Sequence, residues 1–318
     1  SFPTRRSSDL GVGVIGASWA VSFAMGGVPV CLYHPIPERL APAMAKVDRS
    51  LSILVENGIF DTERAAEIRA LIRGSSDLED AIGDVQLIQE SLPETYEAKG
   101  AMLEQIDGLR GRDVIVASST SGLSISRIAA LSRYPERCIG AHPYNPPHLI
   151  PLVEMIAPEG GQPYLEVLRE FYQSIGKEPI TMNFEIVGYP ANRIQTALSR
   201  EVTELVMRGV VSVEDIDKAV TFGPGLRWAV MGPNLLMQLG GGEGGIRHQV
   251  EHLNTVFNSW LADMGRWTER DPRWADVAQA GVDEELSHRP PELGNDNESL
   301  QRYRDKMLLQ LLRLHGKL

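Results

Sequence analysis

Short apolar runs alternate with stretches of helical periodicity through the first half of the chain. The runs end at glycine, proline or small polar residues, which is typical of strands that are buried on both faces of a parallel sheet. The predicted strands cover residues 28–33, 85–89, 114–117, 138–141 and 152–156. Helical spacing predicts a helix over 17–25 and an inserted helical pair over 38–73, broken at Asn57-Gly58.

From about residue 187 the pattern changes to long amphipathic helices. We predict two of these helices over 192–208 and 298–314. The second places apolar side chains on one face at helical spacing. These side chains belong to Leu300, Tyr303, Met307, Leu311 and Leu314. The change in character predicts two domains with a boundary near residue 185.

A glycine-rich turn precedes the first predicted helix. Residues 11–16 follow the pattern G-x-G-x-x-G, and a helix and a buried strand come after them. This order lets the backbone approach a pyrophosphate at a helix N-terminus, although the motif alone often arises by chance. The cofactor residues predicted here are Gly11, Gly13, Val14, Ile15 and Gly16.

The glycine turn and the alternating strands together predict the fold class. We expect an α/β Rossmann-like doubly wound sheet over 11–185, which would hold the dinucleotide, and an all-α C-terminal domain over 186–318. Ligands bind beyond the carboxyl ends of the strands in such sheets. Polar residues follow two predicted strands at 90–94 and 118–122, so they fall where a site is expected.

The end of the second predicted strand departs from the dinucleotide fingerprint. An acidic residue is expected there to hold the adenosine ribose, and this chain has His34 instead. A neutral imidazole can hydrogen-bond a ribose hydroxyl, but His34 can also be only a turn residue before Pro35. Arg39 is close enough in sequence to meet a 2′-phosphate. We predict NAD rather than NADP.

The first ten residues do not suit the strand that should precede the glycine turn. Residues 1–10, SFPTRRSSDL, resemble translated sequencing-library adapter. A central strand is normally an almost continuous apolar run, whereas residues 5–10 contain one apolar residue, Leu10. We therefore expect residues 1–10 to be a non-native segment that has replaced the first strand.

Composition limits the classes of function. The 318 residues carry a formal net charge of -11 and no basic run, which argues against nucleic acid as a partner. Cys31 and Cys138 lie in apolar runs, and we expect both to be reduced core residues. No apolar stretch reaches the length of a membrane helix, and we expect no export signal. We expect a cytoplasmic enzyme that acts on a small-molecule substrate and has no membrane partner.

The stretch from His142 to Glu154 is the most informative candidate for catalysis. His142 lies between two extended segments, and Glu154 ends the second of them. Imidazole titrates near neutral pH, and a neighbouring carboxylate fixes its tautomer and stabilises its protonated form. A structural histidine in a proline-rich turn would fit the pattern alone about as well.

Six motifs in order resemble the 3-hydroxyacyl-CoA dehydrogenase superfamily from residue 11 to the C-terminus. They are GVGVIGASWA, QESLPE, SSTSGL, AHPYNPPHLIPLVE, GYPANRIQ and GPGLRWAVMGP. Within the superfamily, the chain is most similar to the lambda-crystallin or L-gulonate 3-dehydrogenase type. The resemblance implies an NAD-dependent dehydrogenase that is dimeric through its helical domain.

The resemblance also implies roles for individual residues. His142 would be the general base and Glu154 its orienting partner. Ser121 and Asn192 would contact the substrate at the catalytic centre, although either could simply cap a helix. Asn145 would support the loop after His142 or only form its turn.

Glu94 and Lys99 match family positions near the nicotinamide half of the cofactor. Without the resemblance, both would be classed as solvated helix residues.

Arg227 bears on the class of substrate. A guanidinium forms a planar two-pronged pair with a carboxylate, which a thioester cannot reciprocate. Enzymes of this superfamily that act on free hydroxy acids have an arginine at this position. The alternative is an interdomain salt bridge. Carnitine dehydrogenases resemble the chain less, because an aspartate tends to occupy the position of Asn192 in them.

The sequence thus predicts NAD-dependent oxidation of a free L-3-hydroxy carboxylic acid, such as L-gulonate, to the 3-keto acid. One alternative is an L-3-hydroxyacyl-CoA dehydrogenase that acts on CoA thioesters. Another is a non-catalytic, crystallin-like dinucleotide-binding protein. We expect no metal site, since His248 and His252 lack an evident third ligand.

Overall fold

The structure is a computed structural model, and it describes residues 6–318. The chain divides into two compact units. The first unit runs to Pro190 and also includes Asp305–Leu318, and the second covers Ala191–Arg304.

The first unit is built on one sheet, in which the described residues form eight strands in the order β3-β2-β1-β4-β5-β6-β7-β8. Neighbouring strands are parallel except for β6 and β7, which are antiparallel. The strands are β1 Ser7–Leu10, β2 Val30–Tyr33, β3 Ile72–Ser75, β4 Leu87–Glu90, β5 Ile115–Ser118, β6 Cys138–Pro143, β7 Leu152–Ile156 and β8 Glu178–Thr181. The sheet, together with the helices around it, confirms the predicted Rossmann-like class.

Helices connect these strands. They are α1 Val14–Met25, α2 Leu40–Glu56, α3 Thr62–Ala70, α4 Leu78–Ile82, α5 Tyr96–Leu109, α6 Ile125–Ala129 and α7 Gln162–Ser174. The inserted pair is α2 and α3, and the first of them ends at Glu56 with Asn57 as its C-cap, at the predicted break. The predicted pair extended too far, because Ile72 already pairs with Val30 of β2 and is buried. Cys31 and Cys138 are free and buried in the core.

Strand β1 lies in the middle of the sheet although its sequence is polar. It pairs with β2 on one side and with β4 on the other, and its four residues are buried. The last part of the adapter-like segment therefore fills the position of the first strand rather than preceding the fold. Asp9 is fully buried, and neither of its carboxylate oxygens has a hydrogen-bond partner. Residues 1–5 of that segment lie outside the described residues.

The second unit is helical. Its helices are α8 Pro190–Met207, α9 Val213–Phe222, α10 Pro224–Trp228, α11 Pro233–Gly240, α12 Gly245–Asp263, α13 Trp274–His288 and the first part of α14 Asn297–Leu314. Among the residues that the structure describes, no helix is long and apolar enough to cross a membrane.

The end of the chain departs from the predicted division at 186–318, because Asp305–Leu318 belongs to the first unit. The physical reason is burial. Leu309 is fully buried in the core that includes α1 and α2, and Leu308 and Leu312 pack against the same core. Arg313 also donates a hydrogen bond to the carbonyl oxygen of Gly58 at 2.6 Å.

Candidate active site

The glycine turn between β1 and α1 has the geometry that a dinucleotide pyrophosphate needs. Gly11 has a φ of 149°, and a Cβ there would lie 2.5 Å from the carbonyl oxygen of Ser91. A Cβ at Gly16 would overlap the carbonyl oxygen of Gly11. A Cβ at Gly13 would meet nothing within 4 Å, so space is open above the turn. The exposed Val14 begins α1 beside this space. The residues present therefore fit a dinucleotide at a helix N-terminus.

His34 follows β2, and its ring takes part in a turn. The backbone N–H of Ile36 donates a hydrogen bond to Nδ1 of His34 at 3.0 Å. This contact fits the simpler alternative, in which His34 is only a turn residue before Pro35. The bond leaves Nε2 as the ring nitrogen with which His34 could reach a ribose.

His142 and Glu154 face each other across β6 and β7. The antiparallel register makes them direct partners, so their side chains lie on the same face of the sheet. Nδ1 of His142 donates to Oε2 of Glu154 over 2.8 Å. The His142 side chain is 8% exposed and the Glu154 side chain 0%. Glu154 is the third of five residues in β7, not the end of that strand as predicted, and its buried carboxylate leaves Nε2 of His142 to accept a proton.

A buried ion pair lies where β4 and β5 end. Nζ of Lys99 contacts both carboxylate oxygens of Glu90, at 2.8 and 2.9 Å. The hydroxyl of Ser118 donates to Oε2 of Glu90 at 2.5 Å. The Lys99 side chain is 1% exposed, so Lys99 is not the solvated helix residue that the pattern alone suggested. Its predicted place near the nicotinamide half of the cofactor stays a prediction.

Glu94 joins this pair to the loop that carries Ser121. Oε2 of Glu94 lies 3.4 Å from Nζ of Lys99. Oε1 of Glu94 accepts hydrogen bonds from the Thr120 hydroxyl at 2.7 Å, from the Ser121 N–H at 2.7 Å and from the Gly122 N–H at 2.8 Å. Burial opposes ionisation, but the hydrogen bonds and the charge of Lys99 outweigh it and lower the pKa of Glu94. The exposed Ser121 hydroxyl is 3.3 Å from the same oxygen.

The loop after His142 is anchored by residues that the sequence analysis did not single out. The hydroxyl of Ser18 in α1 lies 2.7 Å from Nδ1 of His148. Nζ of Lys177 donates to the carbonyl oxygen of Pro147 and lies 5.4 Å from the ring centroid of Trp19. Burial lowers the pKa of Lys177 to about 7.

Asn145 lies in the loop that these residues anchor. It is exposed and precedes a cis proline, Pro146, which suits the turn role given as its alternative.

Tyr189 is a further residue that the sequence analysis missed. Its ring stacks on the His142 ring with 4.6 Å between centroids and 22° between planes. The sequence indicates Tyr189 only through its place in the motif GYPANRIQ, in which Asn192 was the predicted site residue.

Asn192 and Arg227 lie in the second unit. Asn192 is the third residue of α8 and is half-buried, whereas Arg227 is an exposed residue of α10. Within the part of the second unit that the structure describes, Arg227 makes no ion pair. The structure thus brings His142, Glu154, Glu94, Lys99 and Ser121 together on one unit and puts these two on the other.

Two models of known protein families match the chain. The model for the NAD binding domain of 3-hydroxyacyl-CoA dehydrogenase matches residues 9–185, and the model for the C-terminal domain matches residues 188–270. The chain belongs to the 3-hydroxyacyl-CoA dehydrogenase family. The superfamily inferred from the six motifs is confirmed, and so are NAD as the cofactor and a dehydrogenase as the class of enzyme.

Individual relatives cover nearly the whole chain. An L-carnitine dehydrogenase of Streptomyces coelicolor is 36% identical over 315 residues, which is 99% of this chain and 96% of the relative. A 3-hydroxyacyl-CoA dehydrogenase of Gibberella moniliformis is 34% identical over 318 residues, again 99% and 96%. Among solved structures, 5-formyl-3-hydroxy-2-methylpyridine 4-carboxylic acid 5-dehydrogenase, an NAD⁺-dependent dismutase, aligns with a TM-score of 0.78 at 29% identity and covers 98% of this chain and 97% of that one.

Proposed function

We propose that this enzyme oxidises the 3-hydroxyl of a free L-3-hydroxy carboxylic acid to the 3-keto acid, with His142 as the general base. The observation that carries the proposal is the pairing of His142 with Glu154 across two adjacent strands at 2.8 Å. Because Nδ1 donates to Glu154, Nε2 is the atom that takes the hydroxyl proton. The buried Glu154 carboxylate then stabilises the resulting imidazolium. NAD, when bound, supplies the hydride acceptor.

The remaining candidates hold the substrate and the cofactor in this proposal. The exposed Ser121 hydroxyl binds the substrate oxygen, and the Glu94 carboxylate fixes the loop on which Ser121 lies. Asn192 contacts the substrate, and Asn145 supports the loop after His142. The open glycine turn holds the pyrophosphate of the cofactor, and His34 reaches its ribose.

Two of the three relatives described above support a free acid over a CoA thioester. The names of the S. coelicolor relative and of the matched structure both denote enzymes of small carboxylic acids. L-Gulonate and L-carnitine are the two acids to compare first. The deciding experiment measures NAD reduction with L-gulonate, L-carnitine and L-3-hydroxybutyryl-CoA at matched concentrations. Preference for either acid supports the proposal, and preference for the thioester makes the acyl-CoA alternative correct.

Arg227 is the proposed anchor for the substrate carboxylate. We expect Arg227→Met to raise KM for the preferred acid about 30-fold, which corresponds to about 2 kcal/mol for a hydrogen-bonded charge pair. Arg227→Lys keeps the charge but loses the two-pronged geometry, so a smaller rise is expected. Initial-rate kinetics measure both. An unchanged KM in Arg227→Met would show that the arginine is not the anchor.

We also propose that the enzyme is a homodimer, and an exposed apolar face in the second unit supports this. Helix α12 exposes a run of apolar side chains at helical spacing. They include Val250, Leu253, Phe257, Trp260 and Leu261. An exposed apolar face of this kind is typical of an interface. We expect Phe257→Asp combined with Trp260→Asp to give a monomer in analytical ultracentrifugation.

A matched control for the dimer lies on the other side of the same helix. Thr255 is exposed and is about half a turn away from Phe257. Thr255→Asp adds the same kind of charge and should leave the dimer intact. If the wild-type chain sediments as a monomer, or if the double variant stays dimeric, this face is not the interface.

A further inference from the structure

The hydrogen bond between His142 and Glu154 leaves one motion of the imidazole open. It fixes Nδ1 at 2.8 Å from the carboxylate, but the ring plane can still rotate about that contact. Nε2 lies on the far side of the ring, so such a rotation would move the atom that takes the proton. Something else must therefore fix the plane of the ring if the base is to be held in one orientation.

Tyr189 makes the contact that can do this. Its ring lies nearly parallel to the His142 ring at 4.6 Å, which is the range of a stacked pair. Tyr189 is 5% exposed and His142 is 6% exposed, so little room remains for either ring to turn. The tyrosine follows β8 and comes just before α8, so it reaches His142 from outside the strand pair that carries the dyad.

The position of Tyr189 depends in turn on Gly140. Gly140 and His142 are two residues apart on β6 and face the same side of the sheet. A Cβ at Gly140 would lie 2.9 Å from the hydroxyl oxygen of Tyr189 and 2.8 Å from Cγ2 of Ile156. The phenol therefore lies over the place where any larger residue would carry its side chain. The phenol is uncharged at neutral pH like that of an ordinary tyrosine, and burial raises the pKa of Tyr189 further.

We propose that Tyr189 is a positioning residue that fixes the plane of the His142 ring by stacking on it, in the slot left by Gly140. This inference rests on the proposed role of His142 as the base. The ring face, and not the hydroxyl, performs the role, because Tyr189 meets His142 ring to ring.

Two substitutions at Tyr189 separate the ring from the hydroxyl. Tyr189→Phe keeps the stack, and we expect its kcat to stay within about 3-fold of the wild-type value, since such pairs depend on the ring faces. Tyr189→Leu removes the stack, and we expect kcat to fall about 10- to 100-fold because the base is misplaced, with little change in KM. Phe171→Leu is the matched control, since Phe171 is also 5% exposed but packs on Phe23 and Tyr172. It should lower Tm by a similar amount and leave kcat unchanged.

A spectroscopic measurement tests the stack without turnover. In protein labelled at histidine Cε1, the ring proton of His142 is assigned by its loss in His142→Gln among the seven histidines. Stacking on Tyr189 should shift this signal upfield in the wild type and in Tyr189→Phe, and Tyr189→Leu should remove that shift. A wild-type kcat in Tyr189→Leu, equal losses in both variants, or an unmoved signal would overturn the inference. If the wild type oxidises no hydroxy acid, the proposed function fails, whereas the histidine signal still decides whether the stack exists.

Discussion

Replacing His142 with glutamine should lower kcat/KM for the preferred hydroxy acid by about 10²- to 10⁴-fold, the usual contribution of a positioned general base. Glutamine can still donate a hydrogen bond to Glu154, which His142 does at 2.8 Å. It cannot take a proton from the substrate hydroxyl. The measurement is the initial rate of NADH formation with the acid that the wild type prefers.

Two further measurements test whether the loss of activity in His142→Gln comes from the missing base. NAD affinity, measured by calorimetry, should be unchanged in His142→Gln, because the glycine turn lies on other elements of the first unit. Glu154→Gln keeps an acceptor for Nδ1 but removes the charge that stabilises the imidazolium, so we expect a smaller loss. Full activity in His142→Gln would refute the general-base assignment.

Replacing Asp9 with valine should stabilise the protein by about 3 kcal/mol or more at neutral pH, the scale of an uncompensated buried charge or polar group. Asp9 is in the central strand β1, fully buried and without a hydrogen-bond partner for its carboxylate. Valine is close in size and suits a buried strand. For a unit of this length the gain corresponds to about 6–12 °C in Tm.

The gain should depend on pH. Burial, followed by the negative charge of Glu90, raises the pKa of Asp9 well above its ordinary value. The folded state therefore holds the proton more tightly than the unfolded state, so the carboxyl destabilises the fold increasingly as the pH rises above about 4. Thermal unfolding of Asp9→Val should show a larger gain at pH 7 than at pH 5.

Ser8 is the matched control in the same strand. Its hydroxyl is also buried, but it donates to the carbonyl oxygen of Cys31 at 3.1 Å. Ser8→Ala removes a satisfied hydroxyl, so it should not raise Tm. A Tm for Asp9→Val that is no higher than that of the wild type would show that the strand accommodates the carboxyl without cost.

The dyad and the glycine turn could be predicted because the chemistry depends on short spacings. The glycine turn spans residues 11–16, and His142 is twelve residues from Glu154. Hairpin pairing then brings the two side chains together at close range. Local spacing is the kind of information that a single sequence carries well.

Other features depend on distant parts of the chain and were missed. Tyr189 reaches His142 from 47 residues away, and Lys177 reaches the loop at Pro147 from 30 residues away. The end of α14 returns to the first unit through Leu309, which a helical pattern cannot show. The polar strand β1 forms because it has paired neighbours on both sides, although its own residues disfavour it.

The antiparallel pairing of β6 with β7 has a consequence for changing the substrate of this enzyme. It places both members of the dyad on one unit, whereas Arg227 and Asn192 lie on the other. The proposed proton acceptor and the proposed groups that select the acid are therefore encoded in separate stretches of the chain. A library of variants restricted to α8 and α10 can sample new acids while every member keeps the same base.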